Sequence, residues 1–289
     1  MRRLSSAVVA ATLIVSMLPG GVLSARAAGR GTVSYLALGT SLAVGFQPGP
    51  GRTSKGYVDD LWRSMQQQIP GLGLRNVGCP GETSRSMVTG KHSLCHYAAG
   101  SQLDAAVAFL EAHPGQVAFI TLEVGANDLV ERCLRDTGRL DRACVADLLP
   151  RLQTRLTHIV EALVAAGPGV PIVAMTYYDP LLGYWGLVPG GRALARTDQR
   201  AWAQLNATFT TAYGDAGATV ADVATTFQID DFTDTVVVPG RGELPVNVAN
   251  TCRWTWFCSP RFAGDPHANA TGYRKIADTF EQELAAMLP

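Results

Sequence analysis

Apolar residues fall into two alternating patterns along the chain. The first is a short unbroken run, seen at Tyr35-Leu36-Ala37-Leu38 and at residues 74–77, 117–124, 172–178 and 219–223. Bounded by Gly, Pro and polar residues, such runs predict strands buried on both faces, as in a parallel sheet. The second is helical spacing. Tyr57, Val58, Leu61, Trp62 and Met65 recur at three and four residues before Pro70-Gly71 closes the segment. Residues 103–112, 145–166, 193–213 and 273–287 read as further helices. Pro114-Gly115 and Gly167-Pro168-Gly169 stop two of these, and Pro150 predicts a bend in one. Residues 133–144 are polar and loop-like, whereas 181–189 are apolar but broken by glycine, which predicts a loop over the core or part of a binding cleft. Strands alternating with helices predict an α/β fold, with a central, mostly parallel five-stranded sheet covered by helices on both faces.

Three of the strands run into polar, glycine-containing turns: Gly39-Thr40-Ser41, Gly78-Cys79-Pro80-Gly81-Glu82-Thr83 and Gly125-Ala126-Asn127-Asp128. In a parallel sheet these turns gather at the carboxyl edge, where such folds bind ligands. Ser41, at the end of a buried strand, is the candidate nucleophile; the plainer alternative is that Thr40 and Ser41 cap a following helix. A serine nucleophile needs a base, an orienter for that base and donors for the oxyanion, and Asp265-Pro266-His267 offers an imidazole beside a carboxylate. Gly81, lacking a Cβ, can bring a main-chain N–H close to substrate, and Asn127 offers an amide donor. Gly78 could share the role given to Gly81. Asp128 reads as a helix-start acid, and His92, His96, His113 and His158 as surface or loop residues.

Composition changes the picture at the N-terminus. Arg2 and Arg3, an apolar stretch over 7–18, the Pro19-Gly20-Gly21 break and Ala25-Arg26-Ala27 make residues 1–27 an expected export signal, cleaved near Ala27 to leave a single domain over 28–289. That stretch is too short to span a bilayer, and nothing later reaches the roughly 20 apolar residues a membrane helix needs. The whole chain balances 24 Lys and Arg against 24 Asp and Glu, and losing Arg2, Arg3 and Arg26 leaves 21 against 24, or −3. No basic footprint for nucleic acid is present. Cys79, Cys95, Cys133, Cys144, Cys252 and Cys258 form no Cys-x-x-Cys pair, and an even count in an exported chain reads as disulfides. Many connectivities remain open. The simplest is sequential: Cys79 with Cys95, Cys133 with Cys144, Cys252 with Cys258.

At four blocks the sequence resembles the SGNH, or GDSL-like, hydrolase family: Gly39-Thr40-Ser41-Leu42, Asn76-Val77-Gly78-Cys79-Pro80-Gly81-Glu82-Thr83, Gly125-Ala126-Asn127-Asp128 and Asp265-Pro266-His267. They occur in the family's order and span nearly the whole of 28–289. The resemblance implies a flavodoxin-like three-layer α/β/α sandwich with Ser41 as nucleophile, His267 as base and Asp265 as its orienter. The Ser41 N–H, the Gly81 N–H and the Asn127 amide would form the oxyanion hole. It implies neither metal nor organic cofactor. Two departures stand out: the family usually has Asp where this chain has Thr40, and usually Asp-x-x-His where one residue separates Asp265 from His267. Some relatives orient the histidine through a main-chain carbonyl instead. An exported chain with three local disulfides is similar to actinobacterial lipases and esterases of the family. The expected protein is a secreted, monomeric lipase or esterase acting on a lipid or small-molecule ester. The alternatives are a carbohydrate acetyl esterase and a non-catalytic lipid- or glycan-binding relative. Leu182, Tyr184 and Trp185 in the apolar connection, and Trp254 and Trp256 before the histidine loop, are the expected cleft residues; Trp254, Trp256 and Phe257 could equally be core.

Overall fold

The computed structural model describes residues 33–288; the expected leader, 1–27, lies outside them. In chain order the elements are β1 (Ser34–Leu38), α1 (Tyr57–Gln68), β2 (Gly73–Asn76), α2 (Ser84–Thr89), α3 (Gln102–Ala112), β3 (Val117–Leu122), α4 (Ala126–Cys133), α5 (Arg142–Ala166), β4 (Ile172–Met175), a 3₁₀ helix (Pro180–Gly186), α6 (Gly191–Asp215), β5 (Thr219–Ala221), α7 (Val223–Thr226), β6 (Thr235–Val238), β7 (Gly242–Pro245), α8 (Val246–Trp254) and α9 (Ala270–Met287). The five apolar runs pair as one sheet in the order β2-β1-β3-β4-β5. Every pairing in it is parallel. Strands β6 and β7 form a separate antiparallel hairpin. None of the described helices is long and apolar enough to cross a membrane.

Helices cover both faces, as in a three-layer sandwich. On one side α1 packs with α9, through the stacked rings of Tyr57 and Phe280 with centroids 5.0 Å apart. On the other, α5 lies between α3 and α6. Tyr57, Val58, Leu61 and Met65 are fully buried, as their helical spacing requires. Each such side chain contributes roughly 1.5–3 kcal/mol through burial.

The boundaries shift in informative ways. Strands read as 117–124, 172–178 and 219–223 end at Leu122, Met175 and Ala221, because the chain leaves the ladder early and spends its last apolar residues on turns at the sheet edge. Residues 133–144, read as a loop, contain the end of α4 and the start of α5, with an isolated bridge between Leu134 and Leu140. Asp141 caps α5, accepting the N–H groups of Ala143 and Cys144. Pro150 sits inside α5, which runs continuously to Ala166. The cysteines pair sequentially, Cys79 with Cys95, Cys133 with Cys144 and Cys252 with Cys258.

Sheet order fixes where the site can be. The chain crosses from β1 outward to β2, then returns past β1 to β3, so the direction of winding reverses between β1 and β3. The loops after those strands diverge there and leave a crevice at their carboxyl ends.

Candidate active site

Ser41 follows β1 by three residues, in a tight turn rather than at a helix start. Gly45 N–H donates to Leu42 O and Phe46 N–H to Ser41 O. The next helix, α1, begins only at Tyr57, so the helix-cap reading of Thr40 and Ser41 is set aside. The turn presents the hydroxyl to His267, whose Nε2 lies 2.9 Å from Ser41 Oγ. His267 Nδ1 lies 2.8 Å from Asp265 Oδ1, which also accepts the His267 main-chain N–H at 3.0 Å. Burial pushes the Asp265 carboxyl up, but those two bonds and the nearby imidazole outweigh it and hold the group below its ordinary value. The carboxylate therefore reaches the ring despite the shortened spacing.

The loop bearing His267 is fixed from several sides. Trp256 N–H donates to His267 O at 2.9 Å, and Tyr178, after β4, donates its hydroxyl to Pro266 O at 2.8 Å. The Phe46 ring packs against the imidazole with centroids 4.4 Å apart, and Phe46 O accepts the Tyr273 hydroxyl of α9 at 2.8 Å. One ring thus joins the far end of the Ser41 turn to the imidazole of His267.

The turns after β2 and β3 are tied together. Cys79 N–H donates to Gly39 O at 3.0 Å, placing the glycine turn beside the strand end that bears Ser41. Asn127, in the first turn of α4, donates from Nδ2 to Glu82 O at 2.9 Å. An amide nitrogen has two protons, so one fixes the side chain and the second is left over from this bond. Gly78 N–H is taken by Asn76 Oδ1 at 2.9 Å, whereas Gly81 sits at φ +71°, a left-handed conformation that favours glycine. Asp128 accepts Ser84 N–H at 2.7 Å and Ser84 O–H at 2.6 Å, with Arg155 Nη1 at 3.3 Å. It braces α2 against α4 and is no second acid at the serine.

Beside Ser41, Asn127 and His267 opens a cavity of about 270 Å³. Ala126, Val130 and Leu134, spaced by four along and just beyond α4, form one wall; Leu181, Tyr184, Trp202 and Phe257 form much of the rest. Of the expected cleft residues only Tyr184 lines it. Leu182 is fully buried in the core. Trp185 stacks on Phe232 beneath Arg196, Trp254 meets Phe227 edge-on, and Trp256 donates to Gln47 Oε1 at 2.9 Å. Their rings are held by these partners away from the cavity, and Phe257, from the same loop, takes the wall instead. Trp202 lies in the helix expected over 193–213, where nothing in the spacing singled it out; Val130 and Leu134 lay in a segment whose helix is too short to show a period.

Glu123 was also missed. It is fully buried, and its carboxylate accepts from Thr40 N–H, Thr40 O–H at 3.1 Å, Ala43 N–H at 3.1 Å and Tyr177 O–H. Burial raises its pKa to about 7, against the lowering effect of those bonds. The available signal was a lone acid inside the apolar run 117–124.

Comparison with known proteins places the family and the fold. Residues 37–275 match the GDSL-like Lipase/Acylhydrolase family. Among solved structures, an extracellular lipase from Streptomyces rimosus is 17% identical with TM-score 0.57, covering 86% of this chain and 99% of that one. A lipase from a goat rumen metagenome is 14% identical with TM-score 0.53, over 87% and 97%. A lipase/acylhydrolase from Enterococcus faecalis is 14% identical with TM-score 0.50, over 89% and 97%. At these identities the likeness is one of fold. No curated protein matches the chain.

Proposed function

The chain belongs to the GDSL-like Lipase/Acylhydrolase family and is a carboxylic ester hydrolase; from that premise we propose that it cleaves esters with an apolar acyl group through an acyl-enzyme on Ser41. One observation carries the reading: the unbroken hydrogen-bond chain from Ser41 through His267 to Asp265, ending at the mouth of an apolar cavity. His267 takes the serine proton as Oγ attacks the ester carbonyl, and Asp265 stabilises the imidazolium that forms. The carbonyl oxygen, now negative, receives the Ser41 N–H, the Gly81 N–H and the free Asn127 proton. Collapse expels the alcohol, protonated by His267. Water, activated by the same imidazole, then releases the acid.

The cavity suggests the acyl group. At roughly 30 Å³ for a water-sized group, about 270 Å³ has room for on the order of nine such groups, which suits a medium-length acyl chain better than acetyl. That apolar lining favours an acyl ester over an acetylated sugar, and the complete hydrogen-bond chain favours an enzyme over a binding relative. Three disulfides fit an oxidising, extracellular setting with the leader 1–27 removed.

A p-nitrophenyl ester series from acetate to palmitate tests the reading. kcat/KM should climb to medium chains and fall beyond them, and Ser41→Ala should remove nearly all turnover at every length. A rate that is highest on acetate and declines steadily would favour the acetyl esterase.

A further inference from the structure

The carboxylate of Glu123 lies directly beneath the nucleophile turn. It reaches both sides of Ser41: Thr40 N–H precedes the serine and Ala43 N–H follows it. Thr40 O–H and Tyr177 O–H complete its donors. The strand end is built to admit it, since a Cβ on Gly39 would stand 2.5 Å from Glu123 Oε1 and 2.8 Å from its Cγ. Gln102, also fully buried, holds the same glycine from another side, accepting Gly39 N–H at 2.7 Å and donating to Gly39 O at 3.1 Å. A buried carboxylate is retained against its desolvation cost only when its acceptor sites are filled, and here main-chain donors of the catalytic turn fill two of them.

We propose that Glu123 is a positioning residue for Ser41, supplying from beyond β3 the carboxylate that the nucleophile turn lacks at Thr40. It rests on the reading of Ser41 as nucleophile. Glu123 touches neither substrate nor His267; it acts by fixing the backbone on both sides of Ser41, so that Oγ and the Ser41 N–H point to their places before substrate arrives. The titratable groups around it are phenols: Tyr57 on α1, Tyr177 and Tyr178 after β4, Tyr213 on α6 and Tyr273 on α9, each kept protonated by burial. Among the described residues no basic side chain bonds to it. The ionised form accepts all its donors, whereas the protonated form must offer a proton to one of them. The hydroxyl network that seats the carboxylate under the Ser41 turn is therefore coupled to pH near the value of about 7 that burial gives this group.

Four proteins decide it: wild type, Glu123→Gln, Thr40→Asp and the double variant, each read by kcat, KM, the rate of Ser41 phosphonylation and a thermal melt. Glu123→Gln removes the charge that the Thr40 and Ala43 N–H groups face and turns an amide NH₂ toward the Thr40 and Tyr177 hydroxyls, which must reverse to accept it; the resulting misplacement should slow kcat and phosphonylation by on the order of tenfold to a hundredfold with KM little changed. The acid limb of its kcat/KM profile, which His267 as base also shapes, should be less steep than in wild type, because ionisation of Glu123 near 7 no longer contributes. Thr40→Asp sets a second carboxylate against Glu123 and should also lower kcat, because like charges at contact distance cannot both ionise. In the double variant the new aspartate replaces the lost charge, so Thr40→Asp should raise kcat when Glu123 is already Gln.

That reversal of sign is what a merely structural role would not produce. Losses that multiply in the double variant, or Glu123→Gln phosphonylated at the wild-type rate, would overturn the proposal. If Glu123→Gln alone does not fold, recovery of fold and activity in the double variant supports it. Failure of both to fold makes the carboxylate a folding determinant only and overturns it. A wild-type Ser41 that takes no phosphonate would instead sink the reading of the nucleophile, and this proposal with it.

Discussion

Asp265 and His267 are separated only by Pro266, yet one carboxylate oxygen accepts both the ring and the main-chain N–H of His267. The main-chain bond folds the tripeptide into a turn that brings the side chains together, so a second intervening residue is not needed. If this carboxylate orients the imidazole, Asp265→Asn should cut kcat by up to about 10⁴-fold, close to His267→Ala. A main-chain carbonyl as orienter would leave the loss below roughly tenfold, the scale of an exposed charge. The same group leaves a mark on stability. Its folded pKa is depressed below the ordinary 3.8, so its contribution is present above 3.8 and lost as pH falls through the lower folded value. Melting temperatures below pH 4 should therefore drop less steeply in Asp265→Asn than in wild type. At the oxyanion, Asn127→Ala should lower kcat by about 100- to 1000-fold with little effect on KM; a change confined to KM would make Asn127 a substrate-positioning group.

Between residue and fold stand the elements that shape the cavity, and these were the least legible part. The pocket wall is drawn from α4, eight residues long, a 3₁₀ helix and the aromatic loop after α8. Periodicity needs several turns to declare itself, so no helical spacing announced α2, α4, α7 or α8, and which tryptophan faces the cavity was decided by tertiary partners. Gly183 shows how tightly these pieces fit: a Cβ there would lie 2.2 Å from the Phe257 ring. Gly183→Ala should push that ring into the cavity, costing about 1–3 kcal/mol of stability as other overpacked sites do. It should also shift the preferred p-nitrophenyl ester to a shorter chain; an unchanged preference would take Phe257 off the acyl wall. The Cys252–Cys258 crosslink brackets that ring. Replacing both cysteines by serine should lower the melting temperature and the turnover of medium-chain esters together, because the same loop carries the wall and donates to His267 O.

For the whole molecule, the alternation of apolar runs and helical spacing was enough to anticipate five parallel strands with helices on two sides, because a strand buried on both faces leaves an unbroken apolar signature. The turns carrying Ser41, Gly81 and Asn127 were legible for the same reason: each ends a strand, and parallel strands share their carboxyl edge. Strand order was not legible. It places β1 and β3 side by side and opens the crevice where Ser41 stands, and it carries Glu123 from the end of one strand to the turn of the other. The family match over 37–275 establishes the ester hydrolase class; the covalent route through Ser41 is the central claim. A fluorophosphonate probe with peptide mapping tests it most directly. One adduct per chain is expected, on the peptide bearing Ser41, with hydrolysis lost in step with labelling and no adduct on Ser41→Ala. An adduct on another residue, or full hydrolysis by a fully labelled protein, would contradict it.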